Sequence, residues 1–174
     1  MPDERRYDIA EAEAYVRSYP TTPRRVDEVV VHHTWSPTAA QYRGQATVEA
    51  VRKYHMTKGR VGGQERGWRD NGYHWMVAPN GDIWRCRPMV EPGAHVAGRN
   101  QHTVGVAFIA NFDREDPRAF GGWHNGLRLI AALLRRYQLT PDNVRFHREF
   151  ADKSCPGTLL SLAGVRQEVR RVLG

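Results

Sequence analysis

Cysteine is scarce in this 174-residue chain, with Cys86 and Cys155 the only two. Two thiols cannot build a disulfide framework, so the fold must rest on an apolar core. Long hydrophobic runs are missing: no stretch approaches the ~20 residues needed to span a bilayer. The opening Met-Pro-Asp-Glu-Arg-Arg-Tyr also lacks the apolar block and cleavage site of a secretory signal, which predicts synthesis in the cytoplasm without a signal peptide. Repeats, low-complexity tracts and Pro/Gly/Ser linkers are absent too, which predicts one domain over residues 1–174. Lysine is nearly absent, with Lys53, Lys58 and Lys153 standing against 23 arginines.

What remains is strongly basic. The formal charge of +7 predicts attraction to acidic polymers, such as nucleic acid or the acidic polymers of a cell envelope. The basic runs are short (Arg5-Arg6, Arg24-Arg25, Arg135-Arg136, Arg170-Arg171) and carry no interleaved base-stacking aromatics. Specific nucleic-acid or polymerase binding is therefore the weaker reading.

Hydrophobic periodicity divides the chain. Residues 1–25 hold a short helix, Ile9 to Tyr19, stopped by Pro20, and a lead-in. Val26 to His33 reads as a buried strand and Thr47 to Thr57 as a helix, followed by a Gly- and Arg-rich surface loop over Gly59 to Gly72. Tyr73 to Ala78 and Ile83 to Arg87 read as strands turned by Pro79-Asn80-Gly81. Val104 to Ala110 and Val144 to His147 add strands, Gly122 to Leu139 a helix, and Leu159 to Leu173 a closing helix within residues 158–174. The sum is an α/β domain with a central mixed β-sheet flanked by helices. The chemistry-bearing residues fall within 26–157, and no separate binding domain is expected.

Eight histidines set up the search for a site. His147 at a strand end and Cys155 across a loop can converge on one ion, and zinc favours mixed nitrogen and sulfur ligands. A third ligand would come from the His32-His33 pair. Alternation lets only one of the two face the ion, and the pattern does not choose between them. Three protein ligands leave a position open for water, the mark of a catalytic zinc site. Two neutral imidazoles and a thiolate leave the centre at net +1, so it keeps its Lewis acidity. No HExxH segment is present.

Several separated segments, in order, resemble the type 2 N-acetylmuramoyl-L-alanine amidases, which include phage amidase lysins and peptidoglycan recognition proteins. They are Val30-Val31-His32-His33-Thr34, Gly67-Trp68-Arg69-Asp70-Asn71-Gly72-Tyr73-His74-Trp75, Gly93-Ala94-His95, Thr103-Val104-Gly105-Val106-Ala107, His147 and Lys153-Ser154-Cys155-Pro156. The resemblance implies one Zn2+ held by His32, His147 and Cys155, with Tyr73 and Lys153 as catalytic residues. It further implies cleavage of the amide between N-acetylmuramic acid and L-alanine of peptidoglycan, as in a phage endolysin that lyses bacteria from within. A non-catalytic peptidoglycan-binding module is the alternative.

Lys153, in an extended Lys-Ser-Cys stretch, would lie on the side of Cys155 and stabilise an oxyanion. Tyr73, at a strand start, would position water or shuttle a proton. His95, Trp68 and Asn100 are expected to touch substrate. His33 and His74 should point away from the ion, His74 on the strand face opposite Tyr73. Glu149 reads as a neighbour of the site rather than its base, and His55, His102 and His124 as structural or solvated. Cys86 reads as a free thiol, and a monomer is expected.

Overall fold

Alternation along one buried strand organises the molecule. The computed structural model describes residues 4–61, 64–65 and 67–174. In it β2 (Glu28–His33) is buried from end to end, with β1 (Arg5–Tyr7) and α1 (Ile9–Ser18) preceding it. A run of valines suits it to a pleated strand covered on both faces. It pairs in parallel with the later strands β7 (Thr103–Phe108) and β8 (Val144–Phe146), with Val31 opposite both Val106 and Phe146.

Between β2 and β7 come α2 (Gln45–Lys58), a small hairpin of β3 (Arg60–Val61) and β4 (Gln64–Glu65), then β5 (Trp75–Val77) and β6 (Ile83–Arg85). β5 runs parallel to β7 and antiparallel to β6, and β1 closes the edge against β6. The six-stranded mixed sheet has the order β1-β6-β5-β7-β2-β8. Helices α3 (Trp123–Arg136) and α4 (Leu162–Leu173) complete the chain. The fold is the expected α/β class. Among the described residues, no helix is long and apolar enough to cross a membrane.

The sheet separates two cores. On one face Val29, Val31, Val104, Val106 and Phe108 pack with the apolar stripes of α1, α3 and α4. On the other, Met76, Ala78, Ala107 and Ile109 meet Val48 and Val51 of α2. Period-2 alternation therefore sends the odd-numbered valines of β2 to the first core and His32 to the α2 side.

Sequence boundaries differ from the structure in instructive places. β1 carries no alternation signal and exists only because it pairs with β6. The expected Gly59 to Gly72 loop contains the β3–β4 hairpin. Tyr73 lies two residues ahead of β5 rather than at its start. The closing helix begins at Leu162, where the Ser161 side chain accepts the Gly164 N–H as an N-cap.

Gly126 sits inside α3, where an alanine would normally gain about 1 kcal/mol of helix propensity. A methyl there would lie 2.3 Å from the Phe108 ring, within the cluster of Phe108, Phe112, Phe120 and Trp123. Gly126→Ala is therefore expected to destabilise by about 1–3 kcal/mol, read as a lowered urea midpoint at unchanged slope.

Candidate active site

Strand ends deliver the donors. His32 is the penultimate residue of β2, and His147 follows the last residue of the parallel β8. Both sit at carboxyl ends of parallel strands, where open α/β sheets collect their ligands. The loop carrying Cys155 is folded back onto this edge. The Arg148 N–H donates to the Cys155 carbonyl at 2.8 Å, and the Arg148 guanidinium donates to the carbonyls of Gly157 and Leu160 at 2.6 and 2.7 Å. From the other side, Asp113 accepts the Ser154 hydroxyl and the Thr158 N–H.

One ligand atom from each of His32, His147 and Cys155 lies within 4.8 Å of the others. Cys155 Sγ is 3.6 Å from His32 Nδ1. Bonds of about 2.0–2.3 Å at a tetrahedral centre put ligand atoms roughly 3.3–3.8 Å apart, so this pair already has the spacing of two donors on one ion. Burial holds His32 well below the usual imidazole pKa. Burial, with the Lys153 ammonium beside it, lowers His147 to about 4. Both rings are thus neutral at physiological pH, with lone pairs to offer. Burial pushes the Cys155 thiol up to about 12, so the sulfur keeps its proton until a cation replaces it. Donor types and spacing fit zinc.

Tyr73 closes the floor, its ring 5.1 Å from that of His32 and 5.2 Å from that of His55. Burial drives its phenol above the ordinary value of 10, so Tyr73 is a hydrogen-bond donor. Tyr73, His147 and Lys153 line a cleft of about 910 Å³. Its charged lining consists of Arg43, Lys58 and Lys153, with no carboxylate among the described residues. Two of the chain's three lysines are spent here.

The three expected substrate contacts separate. Trp68 lines the cleft and stacks on His55, with ring centroids 4.9 Å apart. Asn100 turns inward, where its Oδ1 accepts the N–H groups of His95 and Val96. The His95 side chain lines the cleft but is largely buried beside His32, with Nδ1 2.9 Å from His32 Nε2. Loop spacing did not reveal that depth.

His33 points to the opposite face and accepts the Phe112 N–H. His74 does not lie opposite Tyr73: its ring is 5.7 Å from that of His95, and its Nδ1 accepts the Gly105 N–H. Alternation holds only inside a regular strand, and Tyr73 precedes it. Glu149 accepts the Phe146 N–H and pairs with Arg145, away from the donors. Cys86 is free and buried.

One contributor went unread in the sequence, while His55 has the structural role expected of it: buried in the cleft wall, it is bound to Asn71 and Gly72. Trp35, 60% exposed with a left-handed φ of 60°, stands on the rim. A bulky residue in that conformation is a strained outlier, and no spacing rule signals it.

A parallel-strand edge bearing a His/His/Cys donor set beside a cationic cleft has the form of a hydrolytic enzyme's metal site. The chain belongs to the N-acetylmuramoyl-L-alanine amidase family, whose profile matches residues 22–158. It is 28% identical over 138 residues to the endolysin of Enterobacteria phage T3, covering 77% of this chain and 83% of that one. It is also 28% identical over 135 residues to peptidoglycan-recognition protein SC1a of Drosophila melanogaster, covering 74% of this chain and 66% of that protein's length. The Ph2119 endolysin from Thermus scotoductus MAT2119 bacteriophage Ph2119 superposes with a TM-score of 0.66 at 26% identity, over 88% of this chain and 90% of that one.

Proposed function

We propose that this chain is a zinc-dependent amidase that hydrolyses the bond between the lactyl group of N-acetylmuramic acid and L-alanine in peptidoglycan, acting as an endolysin on the bacterial wall. The observation that carries this is the approach of His32, His147 and Cys155 within 4.8 Å of one another, with His147 lining a cleft that Tyr73 and Lys153 also line. His32, His147 and Cys155 would hold the ion, which when bound supplies Lewis acidity to activate water and polarise the amide carbonyl.

The chain's own groups do the rest. Lys153 presents an ammonium to the cleft and stabilises negative charge developing on the carbonyl oxygen, an effect worth a few kcal/mol in such sites. Tyr73 keeps its proton and donates from Oη, so it orients the attacking or departing group rather than removing a proton. Stem peptides carry free carboxylates, and a cleft lined by Arg43, Lys58 and Lys153 attracts them. The same attraction extends to acidic envelope polymers through the net +7 charge.

Digestion of isolated sacculi tests the reading. New N-terminal L-alanine should appear without new reducing sugar ends, stop on chelation and return with zinc. Reducing ends, or binding without any cleavage, would reject it, the latter in favour of the recognition-module reading that the Drosophila relative suggests. Lys153→Ala is expected to retain zinc while kcat/KM falls by about 10²–10³. A variant at full rate, assayed on soluble muropeptide, would remove Lys153 from the mechanism.

A further inference from the structure

His95 reaches the cleft with only 6% of its surface exposed, and the rest of its ring is closely seated. Gly105 lies in the middle of the buried strand β7, where glycine weakens a sheet and has no side chain to pack. A Cβ there would come within 2.8 Å of the His95 ring, and one at Gly93 within 2.4 Å. Both glycines make room for the same imidazole.

The ring bridges two polar atoms. Its Nδ1 is 2.9 Å from His32 Nε2, and its Nε2 is 3.2 Å from Thr103 Oγ1. The Thr103 hydroxyl in turn donates to the Arg99 carbonyl at 3.2 Å. A carbonyl only accepts, and a hydroxyl carries one proton. With that proton committed to Arg99, Thr103 Oγ1 must accept from His95, so the His95 proton sits on Nε2. Its Nδ1 is then bare and must accept from His32, which places the His32 proton on Nε2. The remaining nitrogen, His32 Nδ1, faces Cys155 Sγ at 3.6 Å as an acceptor, its lone pair carrying no proton of its own.

We propose that His95, anchored by Thr103 and the Arg99 carbonyl, is the positioning residue that fixes His32 as the Nε2–H tautomer and so leaves Nδ1 to the metal. The inference builds on the zinc-site reading above and concerns metal retention, not turnover. Reversing the chain would put a proton on His32 Nδ1 and block the donor facing Cys155. A ligand imidazole whose other nitrogen is held in this way generally binds metal 10- to 100-fold more tightly than one left unsupported.

The first test needs no substitution. Imidazole ¹⁵N shifts of the metal-free wild-type chain should show His32 as the Nε2–H form. The Nδ1–H form, or a fast average of both, overturns the proposal. Two variants then separate positioning from packing. His95→Phe keeps the ring shape and removes the acceptor, and is expected to weaken zinc binding 10- to 100-fold by chelator competition. His95→Gln returns an acceptor and should recover most of that loss. Equal zinc affinity in wild type and His95→Phe overturns the proposal, as does a His95→Gln affinity no better than that of His95→Phe. Should His95→Phe fail to fold, Thr103→Val removes only the hydroxyl anchor, and an unchanged His32 tautomer in that variant counts against the chain of donors. Zinc affinity that depends on His95 in a protein with no activity on sacculi would sink the amidase reading and leave this inference standing.

Discussion

Cys155→Ser is expected to lose zinc through gel filtration and to lose all hydrolysis of sacculi. The reason lies in the proton that the donor must give up. Burial pushes the Cys155 thiol to about 12, while His147 is neutral above about pH 4 and His32 lies well below its usual range. Across neutral pH the only proton displaced from the donors by a cation is therefore the one on sulfur. Zinc affinity should rise about tenfold per pH unit from about pH 6 to 9, because each unit lowers the cost of removing that proton by about 1.4 kcal/mol. A buried serine hydroxyl is a far weaker acid and gives up no proton in this range. Cys155→Ser should thus lose both the affinity and its pH slope, measured by chelator competition at several pH values. A variant that kept the slope would show that another group supplies the proton, and Cys155 would cease to be a ligand.

Much of this site is legible in the chain itself because its donors sit at strand ends, where period-2 alternation has few outcomes. The valines at 29 and 31 commit His33 to the α3 side and leave His32 for the cleft, although alternation alone could not say which face would hold the site. Residues outside regular strands escaped this logic. Tyr73 and His74 share a side because the pleat begins only at Trp75. His95 sits in a loop whose depth depends on Gly93 and Gly105, and the glycine inside β7 was the one available sign of a ring packed over it.

The arginine excess also has a structural side that composition alone did not show. A net charge of +7 suggests a basic surface, yet several guanidiniums are turned inward as clamps on backbone carbonyls. Arg24 donates to Met89, Gln101 and Thr103, and Arg87 donates to Asn71 and Pro92. Lysine, with a compact ammonium, cannot replace a planar fork that reaches several carbonyls at once. The composition thus reflects loop construction around the site as much as any polyanionic partner.

Metal-free protein is expected to unfold cooperatively as the pH falls from about 6 to 4, a transition that begins above the range in which ordinary carboxylates titrate. Burial lowers His33 and His55 to about 4 and His74 to about 3, against 6.5 for a free imidazole. Burial also holds His32 and His95 well below that value. Above pH 6.5 these rings are neutral in both states, and the folded state bears no penalty. Below it the unfolded chain takes up protons that the folded chain refuses, so stability present above pH 6.5 is lost progressively until the folded values are reached. At pH 5 this amounts to about 2 kcal/mol for each of His33, His55 and His74, with His32 and His95 acting in the same direction. The total is comparable with the ~5–15 kcal/mol that holds a domain together. Zinc should move the midpoint to lower pH, since protonating His32 or His147 would require expelling the ion. Circular dichroism during acid titration of chelated and zinc-loaded protein measures both effects. Chelated protein with an unchanged urea midpoint at pH 4 would mean that the rings accept protons in place, and that the interior around His74 and His95 admits water.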